Sequence, residues 1–208
     1  EEERSRVERY AQEIRSTSLG VDYDRFVDPD QDAVESAQNS LSSLPLRDNI
    51  AIYVGGLEPM YHITELMDAM ESLPEWSLIV LGEGSLRNKV EREASDRENI
   101  HYLGTVHYKD VPGYVALADV GVSLVDDSHT LKILEYGAAG LSAVQLDGRA
   151  RNRFGDIVEY TISDPRSIAI AIEQAKNRED NTGIRSVAAN HDWSRIASDY
   201  EDVIKGVL

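Results

Sequence analysis

The sequence predicts an α/β fold, a Rossmann-like parallel sheet of about six strands with helices on both faces. From residue 49 onward, short apolar runs of strand length alternate with amphipathic stretches of helical length, which is typical of a parallel sheet covered by helices. Hydrophobic residues make up 41% of the chain and aromatic residues only 7%, so we expect a globular interior built mostly from aliphatic side chains.

The predicted strands are apolar runs at residues 49–55, 76–82, 99–104, 119–125, 142–146 and 157–161. Between them lie predicted helices at residues 61–72, 85–94, 110–118, 131–139 and 165–177. The helical period is clearest in the first of these, where Ile63, Leu66, Met67 and Met70 recur on one face.

The two ends of the chain depart from this alternation. Before the sheet we expect a helix at residues 7–14, a short strand at 17–21 and a polar helix at 31–40. After it, Trp193, Ile196, Tyr200 and Ile204 are spaced for one face of a helix. We therefore predict a hinge and lead-in (residues 1–48), a Rossmann-like domain (49–180) and a helical tail (181–208) that packs on this domain or toward a missing lobe.

Composition excludes several classes of function. The formal net charge is −17 and the chain has five lysines beside sixteen arginines, so its surface repels nucleic-acid backbones and we expect no such partner. Without cysteine the chain has no disulfide, no thiolate metal ligand and no cysteine nucleophile. Acidity with scarce lysine resembles proteins of salt-loving organisms, in which high ionic strength screens self-repulsion.

No apolar run reaches the roughly 20 residues that span a bilayer, and the charged start EEERSRVERY lacks the apolar core of a signal peptide. We therefore expect no membrane segment in this chain and a cytoplasmic protein. The abrupt start in a charged helical stretch suggests a longer protein that was cut at a domain boundary.

Five loops follow predicted strands, at residues 55–60, 82–85, 104–108, 126–130 and 147–156. Ligands of open parallel sheets bind beyond the carboxyl ends of the strands, so these loops are expected to share one crevice. Gly56, Glu83, Thr105 and Val106 are candidate ligand contacts in them. Strand-to-helix turns also need glycine for structural reasons, so the shared location is the stronger argument.

The segment DDSHTLKILEYGAAG (residues 126–140) carries the most information. If Thr130 caps a helix that begins beside Leu131, the free amides of the first turn suit a phosphate. Lys132 opposes the helix dipole there, which an anionic ligand would explain, and Glu135 lies near the same face. The alternative is a surface ion pair between Lys132 and Glu135, worth only a few tenths of a kcal/mol.

Four motifs in order resemble the C-terminal, donor-binding domain of glycosyltransferase family four, whose members have the two-domain GT-B fold. They are NIAIYVGGLEP, LPEWSLIVLGEGSLRNKVE, NIHYLGTVHYKDVPGYVALADVGVSL and LKILEYGAAGLSAV. The likeness covers residues 49–144, and more loosely LGVDYDRF, which looks like the interdomain hinge, and DWSRIASDYEDVI near the end.

The resemblance implies sugar transfer from a nucleotide diphosphate sugar, such as a UDP or GDP sugar, with retention of configuration and no obligatory cofactor. It places Glu135 at the ribose, Lys132 at a lysine position of some relatives, and Asp127 at an upstream carboxylate. Lys132 and Asp127 are thus the catalytic candidates. The acceptor-binding N-terminal lobe would be missing, which predicts an isolated domain without transfer activity. A binding module without catalysis and a nucleotide-sugar epimerase of the same fold are the alternatives.

The chain departs from the family pattern at two cations. Many members have an arginine where this chain has Gly56 and a lysine where it has Tyr61, and both neutralise the donor diphosphate. Arg149, Arg151 and Arg153 are candidate replacements, because their loop should open onto the same crevice and arginine suits phosphate. They could instead offset neighbouring carboxylates.

Metal chemistry gains little support from the sequence. Two D-x-D patterns, residues 22–24 and 28–30, precede the predicted core, and such matches are frequent in a chain with 38 acidic residues. The five histidines show no metal-ligand spacing, so we expect no metal site. His129, next to the predicted helix of residues 131–139, is more readily explained as a solvent-exposed loop residue than as a ligand contact.

Overall fold

The computed structural model describes residues 19–207, with side chains up to Lys205. The helix predicted at residues 7–14 and the first two residues of the strand predicted at 17–21 lie outside this range. Val21 pairs with Asp192 of the tail in an isolated parallel bridge, and not with the sheet. Within residues 19–21 the predicted strand is therefore limited to this single bridge.

A six-stranded parallel sheet forms the centre of the molecule, in the order β3-β2-β1-β4-β5-β6. The strands are β1 (Asn49–Val54), β2 (Trp76–Leu81), β3 (Ile100–Gly104), β4 (Val120–Ser123), β5 (Ser142–Leu146) and β6 (Glu159–Thr161). This confirms the predicted α/β class and all six sheet strands. Strands β2, β4 and β5 are buried at every residue, which explains why they read as continuous apolar runs: both faces of the sheet are covered.

Ten α-helices surround the sheet in the described range. They are α1 (Tyr23–Val27), α2 (Gln31–Leu41), α3 (Ile63–Ala69), α4 (Arg87–Asp96), α5 (Val111–Val115), α6 (Lys132–Ala139), α7 (Arg151–Phe154), α8 (Pro165–Lys176), α9 (Thr182–Asn190) and α10 (Trp193–Val207). Short 3₁₀ turns occupy Pro59–Tyr61, Met70–Ser72 and Gly155–Ile157. No helix in this range is long and apolar enough to cross a membrane.

Two apolar clusters fill the two faces of the sheet. One joins α3 and α8 to β1 and β2, through residues such as Leu66 and Ile172. The other joins α1, α2, α5, α6 and α9 to the opposite face, through residues such as Phe26 and Ile184. Helices from before and after the predicted domain therefore pack on the same sheet as its central helices.

Three local features differ from the prediction. The helix expected at residues 61–72 is split, because His62 adopts a left-handed conformation at φ 50° and α3 starts only after it. The loop expected at residues 147–156 contains the single turn α7. Helix α9, which the apolar pattern did not indicate, packs against α6.

The order of the strands determines where the crevice lies. Strand β1 has β2 on one side and β4 on the other. The chain builds the sheet outward from β1 to β3 and then returns to add β4 on the other side of β1, so the strand order reverses between β1 and β4. Loops that leave the carboxyl ends of these two strands diverge and leave a space between them, which is the usual ligand position in such sheets. Backbone packing beside this space is tight at Gly82, where an added Cβ atom would overlap the carbonyl oxygen of Gly55.

Gly82→Ala should therefore destabilise the fold by about 3 kcal/mol or more, because it combines a backbone clash with strain at φ 145°. Gly104→Ala is the matched control, since Gly104 has φ 70° but open space around its missing Cβ atom, so only the left-handed conformation costs energy, about 1 kcal/mol. Urea unfolding monitored by circular dichroism measures both. Equal losses for the two variants would contradict the tight contact between Gly82 and Gly55.

Candidate functional site

A cavity of about 470 Å³ lies beyond the carboxyl ends of β1 and β4. Its walls are the loop after β1, the end of β4 with the loop after it, the start of α6, and Arg149 from the loop after β5. This volume is within the range of pockets that hold small molecules. The cavity therefore lies at the switch point of the sheet.

Part of the predicted set of ligand contacts lines this cavity: Gly56, Asp127, Thr130, Leu131, Lys132 and Arg149. His129, which was expected to be a solvent-exposed loop residue, also lines it and is 67% exposed. The remaining candidates do not line it: Glu83, Thr105, Val106, Glu135, Arg151 and Arg153. Their contacts in the structure account for each position.

Lys132 and Glu135 form an ion pair within the first turn of α6. The Nζ atom of Lys132 donates a hydrogen bond of 2.8 Å to Oε2 of Glu135, and the two side chains are 29% and 5% exposed. The pair thus forms, but it is not the surface pair of the alternative interpretation, because its carboxylate is buried. A buried carboxylate requires partners, and Lys132 supplies one of them at the wall of the cavity.

Tyr108 is a second neighbour of Glu135. Burial, followed by the nearby charge of Glu135, raises the pKa of the Tyr108 hydroxyl to about 12, and a hydrogen bond with Glu135 adds to the shift. The Tyr108 ring also lies 5.4 Å from the guanidinium carbon of Arg25 and makes an edge contact with Phe26. Glu135 therefore lies beside Lys132, which lines the cavity, and near Tyr108, whose ring contacts residues of α1. The sequence singled out the loop of Tyr108, but nothing in its pattern pointed to this residue.

Thr130 does not cap α6, so this expectation was wrong. Leu131 occupies the cap position and no side chain caps the helix. The buried Oγ1 atom of Thr130 lies 3.3 Å from Oγ of Ser123 at the end of β4, and this hydrogen bond uses the hydroxyl that a cap would need. The first-turn amides of α6 are thus left without a side-chain acceptor, as an anion site at a helix start requires.

The three arginines after β5 point in different directions. Arg149, which is 71% exposed, pairs through Nε with Asp126 at 3.4 Å and lines the cavity. Arg151 pairs with Asp147 at 2.8 Å and stacks over the ring of Tyr160. The loop was expected to open onto the crevice, and it does so through Arg149, while Arg151 and Arg153, in the turn of α7, do not line the cavity.

Arg153 instead holds the loop of residues 126–130. Its Nη1 atom donates a 2.9 Å hydrogen bond to the carbonyl oxygen of Ser128, while its Nη2 atom is buried without a hydrogen-bond partner. Burial lowers the pKa of this guanidinium, and the charge of Asp127 partly offsets the effect. Two arginines thus fasten this loop, since Arg149 also donates to the carbonyl oxygen of Asp126.

Glu83 and Thr105 lie together away from the cavity. Glu83 pairs with Arg87 at 3.2 Å, and Thr105 reaches its carboxylate at 3.5 Å. Val106 packs against the apolar cluster that includes α6.

The wall formed by the loop after β1 carries no cation. The ring of Tyr61 lies against Gly56, where an added Cβ atom would be 3.0 Å from Cε2 of Tyr61. The hydroxyl of Tyr53 donates a 2.6 Å hydrogen bond to the carbonyl oxygen of Gly56, which fixes the loop. The wall also includes Leu19, Met60 and Tyr61, which were not predicted as ligand contacts.

The two D-x-D patterns serve other purposes. Asp22 pairs with Arg25 at 3.0 Å, and Asp30 accepts a 2.9 Å hydrogen bond from the amide of Asp32 at the start of α2. Within residues 19–207 there is no group of three or more histidine or acidic side chains that could hold a metal ion.

Residues 48–177 match the model of a family described as "Glycosyl transferases group 1". The chain is 23% identical over 198 residues to TuaH of Bacillus subtilis (strain 168), which is named as a teichuronic acid biosynthesis glycosyltransferase; the match covers 88% of this chain and 48% of that protein. The chain therefore spans about half the length of this relative.

Two solved structures share the fold. Sucrose-phosphate synthase from Thermosynechococcus elongatus has a TM-score of 0.78 at 20% identity, covering 99% of this chain and 56% of that one. HepE of Anabaena, crystallised with UDP and glucose, has a TM-score of 0.71 at 16% identity, covering 92% and 56%.

Proposed function

Because this chain belongs to the group 1 glycosyl transferases, we propose that its cavity binds the donor, a nucleotide diphosphate sugar. The observation that carries the proposal is the cavity at the switch point, into which the uncapped start of α6 opens beside Lys132. Support comes from HepE, whose structures hold UDP and UDP-glucose.

In the proposed complex the diphosphate lies against the first-turn amides of α6 and the ammonium of Lys132. Both are favourable for an anion, because the helix start carries partial positive charge. The ribose hydroxyls reach Glu135, whose carboxylate is paired with Lys132 and lies near the hydroxyl of Tyr108. The ligand therefore shares Glu135 with Lys132 instead of meeting a free carboxylate.

The chemistry we propose is transfer of the sugar with retention of configuration. As the bond to the sugar breaks, negative charge grows on the departing nucleoside diphosphate, and fixed positive groups stabilise this charge most effectively. Lys132 and the amides of α6 take this role. Asp127 lines the same cavity, with its Oδ1 atom accepting a 2.8 Å hydrogen bond from the amide of His129, and is the proposed carboxylate on the side of the sugar.

This chain corresponds to one lobe in the proposal, with the acceptor bound mainly by the other. The expectation that it transfers no sugar alone follows from this division. The assignments to the cytoplasm and to a salt-loving source stay predictions from composition.

A binding module without catalysis is the second candidate. One observation favours it: the loop after β1 brings a glycine and a tyrosine ring to the cavity instead of cations, and Tyr61 fills the space beside Gly56. Lys132 and Arg149 are also both paired, with Glu135 and Asp126, so the diphosphate has to compete for them. Turnover of the donor by a chain that includes both lobes separates an enzyme from a module.

Glu135→Gln should weaken the binding of UDP or GDP by about tenfold to a hundredfold, the value of a charge-assisted hydrogen bond to ribose. Inorganic pyrophosphate should bind unchanged or more tightly, because Lys132 loses its carboxylate partner. Isothermal titration calorimetry measures both ligands. Glu91→Gln is the matched control, since Glu91 pairs with Arg87 away from the cavity. Equal losses for nucleotide and pyrophosphate would remove Glu135 from the ribose site.

The positive charges should contribute unequally to diphosphate binding. Lys132→Ala should cost about tenfold or more in affinity for UDP or GDP. Arg149→Ala should cost about twofold to fivefold, because Arg149 is exposed and screened. Arg151→Ala is the matched control, an arginine of the same loop that does not line the cavity. The titrations are run at two salt concentrations that both preserve the fold. Affinities equal to the parent's for both Lys132→Ala and Arg149→Ala would overturn the proposed diphosphate position.

A further inference from the structure

One wall of the cavity is apolar and aromatic. Leu19 and Met60, which line it, are 45% and 61% exposed, and the ring of Tyr61 lies between the loop after β1 and the core cluster of α3 and α8. The lining also includes the charged residues Lys132, Arg149, Asp126 and Asp127, which come from the start of α6 and from the loops after β4 and β5, whereas the loop after β1 contributes only uncharged residues. We call the first group the charged side of the cavity and Leu19, Met60 and Tyr61 its apolar wall.

The backbone on both sides of the Tyr61 side chain is fixed. The amide of Tyr61 donates a 3.0 Å hydrogen bond to the carbonyl oxygen of Glu58, and the next residue, His62, has φ 50°. A non-glycine residue in this region is a costly conformation, which persists only where the surrounding structure enforces it. The Tyr61 side chain itself packs partly against the core cluster of α3 and α8 and lines the cavity.

Gly56 lies close against this ring. Gly56 is absent from the positive-φ residues of the described range, and an added Cβ atom would lie 3.0 Å from Cε2 of Tyr61. A methyl group at position 56 would therefore require the ring of Tyr61 to shift by a few tenths of an ångström.

We propose that Tyr61, with Met60 beside it, contacts the sugar ring of the donor and makes the site prefer a nucleotide sugar over the bare nucleoside diphosphate. This inference rests on the proposed function. A hexose presents a face of C–H groups that packs on aromatic rings, and Tyr61 and Met60 offer such an apolar surface at the cavity. The nucleoside is directed elsewhere, toward Glu135, which does not line the cavity.

The apolar wall should therefore raise the affinity for the nucleotide sugar above that for the bare diphosphate. The bare diphosphate gains binding free energy only from the charged side, while the nucleotide sugar also covers the apolar wall and excludes water from it. The position that carries a cation in many relatives would here select for the sugar instead of for the phosphates.

The test compares UDP with UDP-glucose, and GDP with GDP-glucose, by calorimetry on the full chain. Tyr61→Ala should weaken the glucose conjugate by about threefold to tenfold, the effect of an ordinary aromatic contact, and leave the bare diphosphate unchanged. Tyr61→Phe should keep the parent's preference, because the ring remains. Gly56→Ala, which pushes the ring aside, should reduce the preference in the direction of Tyr61→Ala.

Tyr160→Ala removes another partly buried tyrosine, one that does not line the cavity, and should leave both affinities unchanged. If Tyr61→Ala weakens UDP and UDP-glucose equally, or weakens neither, the contact with the sugar is overturned while the proposed function stands. If the parent binds none of the four nucleotides, the proposed function fails first and this inference fails with it.

Discussion

Helix α6 is wedged between the sheet and α9 so closely that neither side has room for one more methyl group. An added Cβ atom on Gly121 in β4 would overlap the ring of Tyr136, and one on Gly137 would lie 2.7 Å from a side-chain carbon of Ile184. Gly140 ends the helix in a left-handed conformation at φ 77°. Because interiors are close-packed, a helix held in this way cannot slide, so the positions of Lys132 at the cavity and of Glu135 behind it are set by apolar packing.

The same helix explains how an acidic chain would offer the proposed anion site. The net charge of −17 works against phosphate at long range, but screening limits that effect to about 8 Å at physiological salt. The cavity lining brings together the start of α6, where no side chain caps the helix, Lys132 and Arg149. Lys132 and Arg149 are each paired with a carboxylate, so in the proposed complex the diphosphate exchanges with these partners. Arg153 holds the loop that carries Asp127.

The sheet could be predicted from the sequence because its strands are buried on both faces and therefore read as apolar runs between turn residues. The position of Lys132 at the cavity could also be predicted, since a lysine that opposes the helix dipole is unusual. The expectations that failed depend on side-chain positions that the spacing of residues does not give. Thr130 was expected to cap α6, but its hydroxyl forms a hydrogen bond with Ser123 instead. The arginines of residues 149–153 are separated by a helical turn that their sequence pattern did not show. The contact between Gly56 and Tyr61 depends on the position of a ring, which no spacing rule predicts. Helix α9 lies within the predicted helical tail, but it could not be recognised as a separate helix because its apolar face consists only of Ile184, Val187 and Ala188.

In the proposed complex a nucleoside diphosphate lies across the start of α6. A crystal structure of this chain grown with UDP or GDP is the most direct test of this position. We expect diphosphate oxygens within hydrogen-bond distance of the first-turn amides of α6 and of Nζ of Lys132, and a ribose hydroxyl at the Glu135 carboxylate. A nucleotide bound along β3 or at any other surface, with the cavity between β1 and β4 unoccupied, would contradict it.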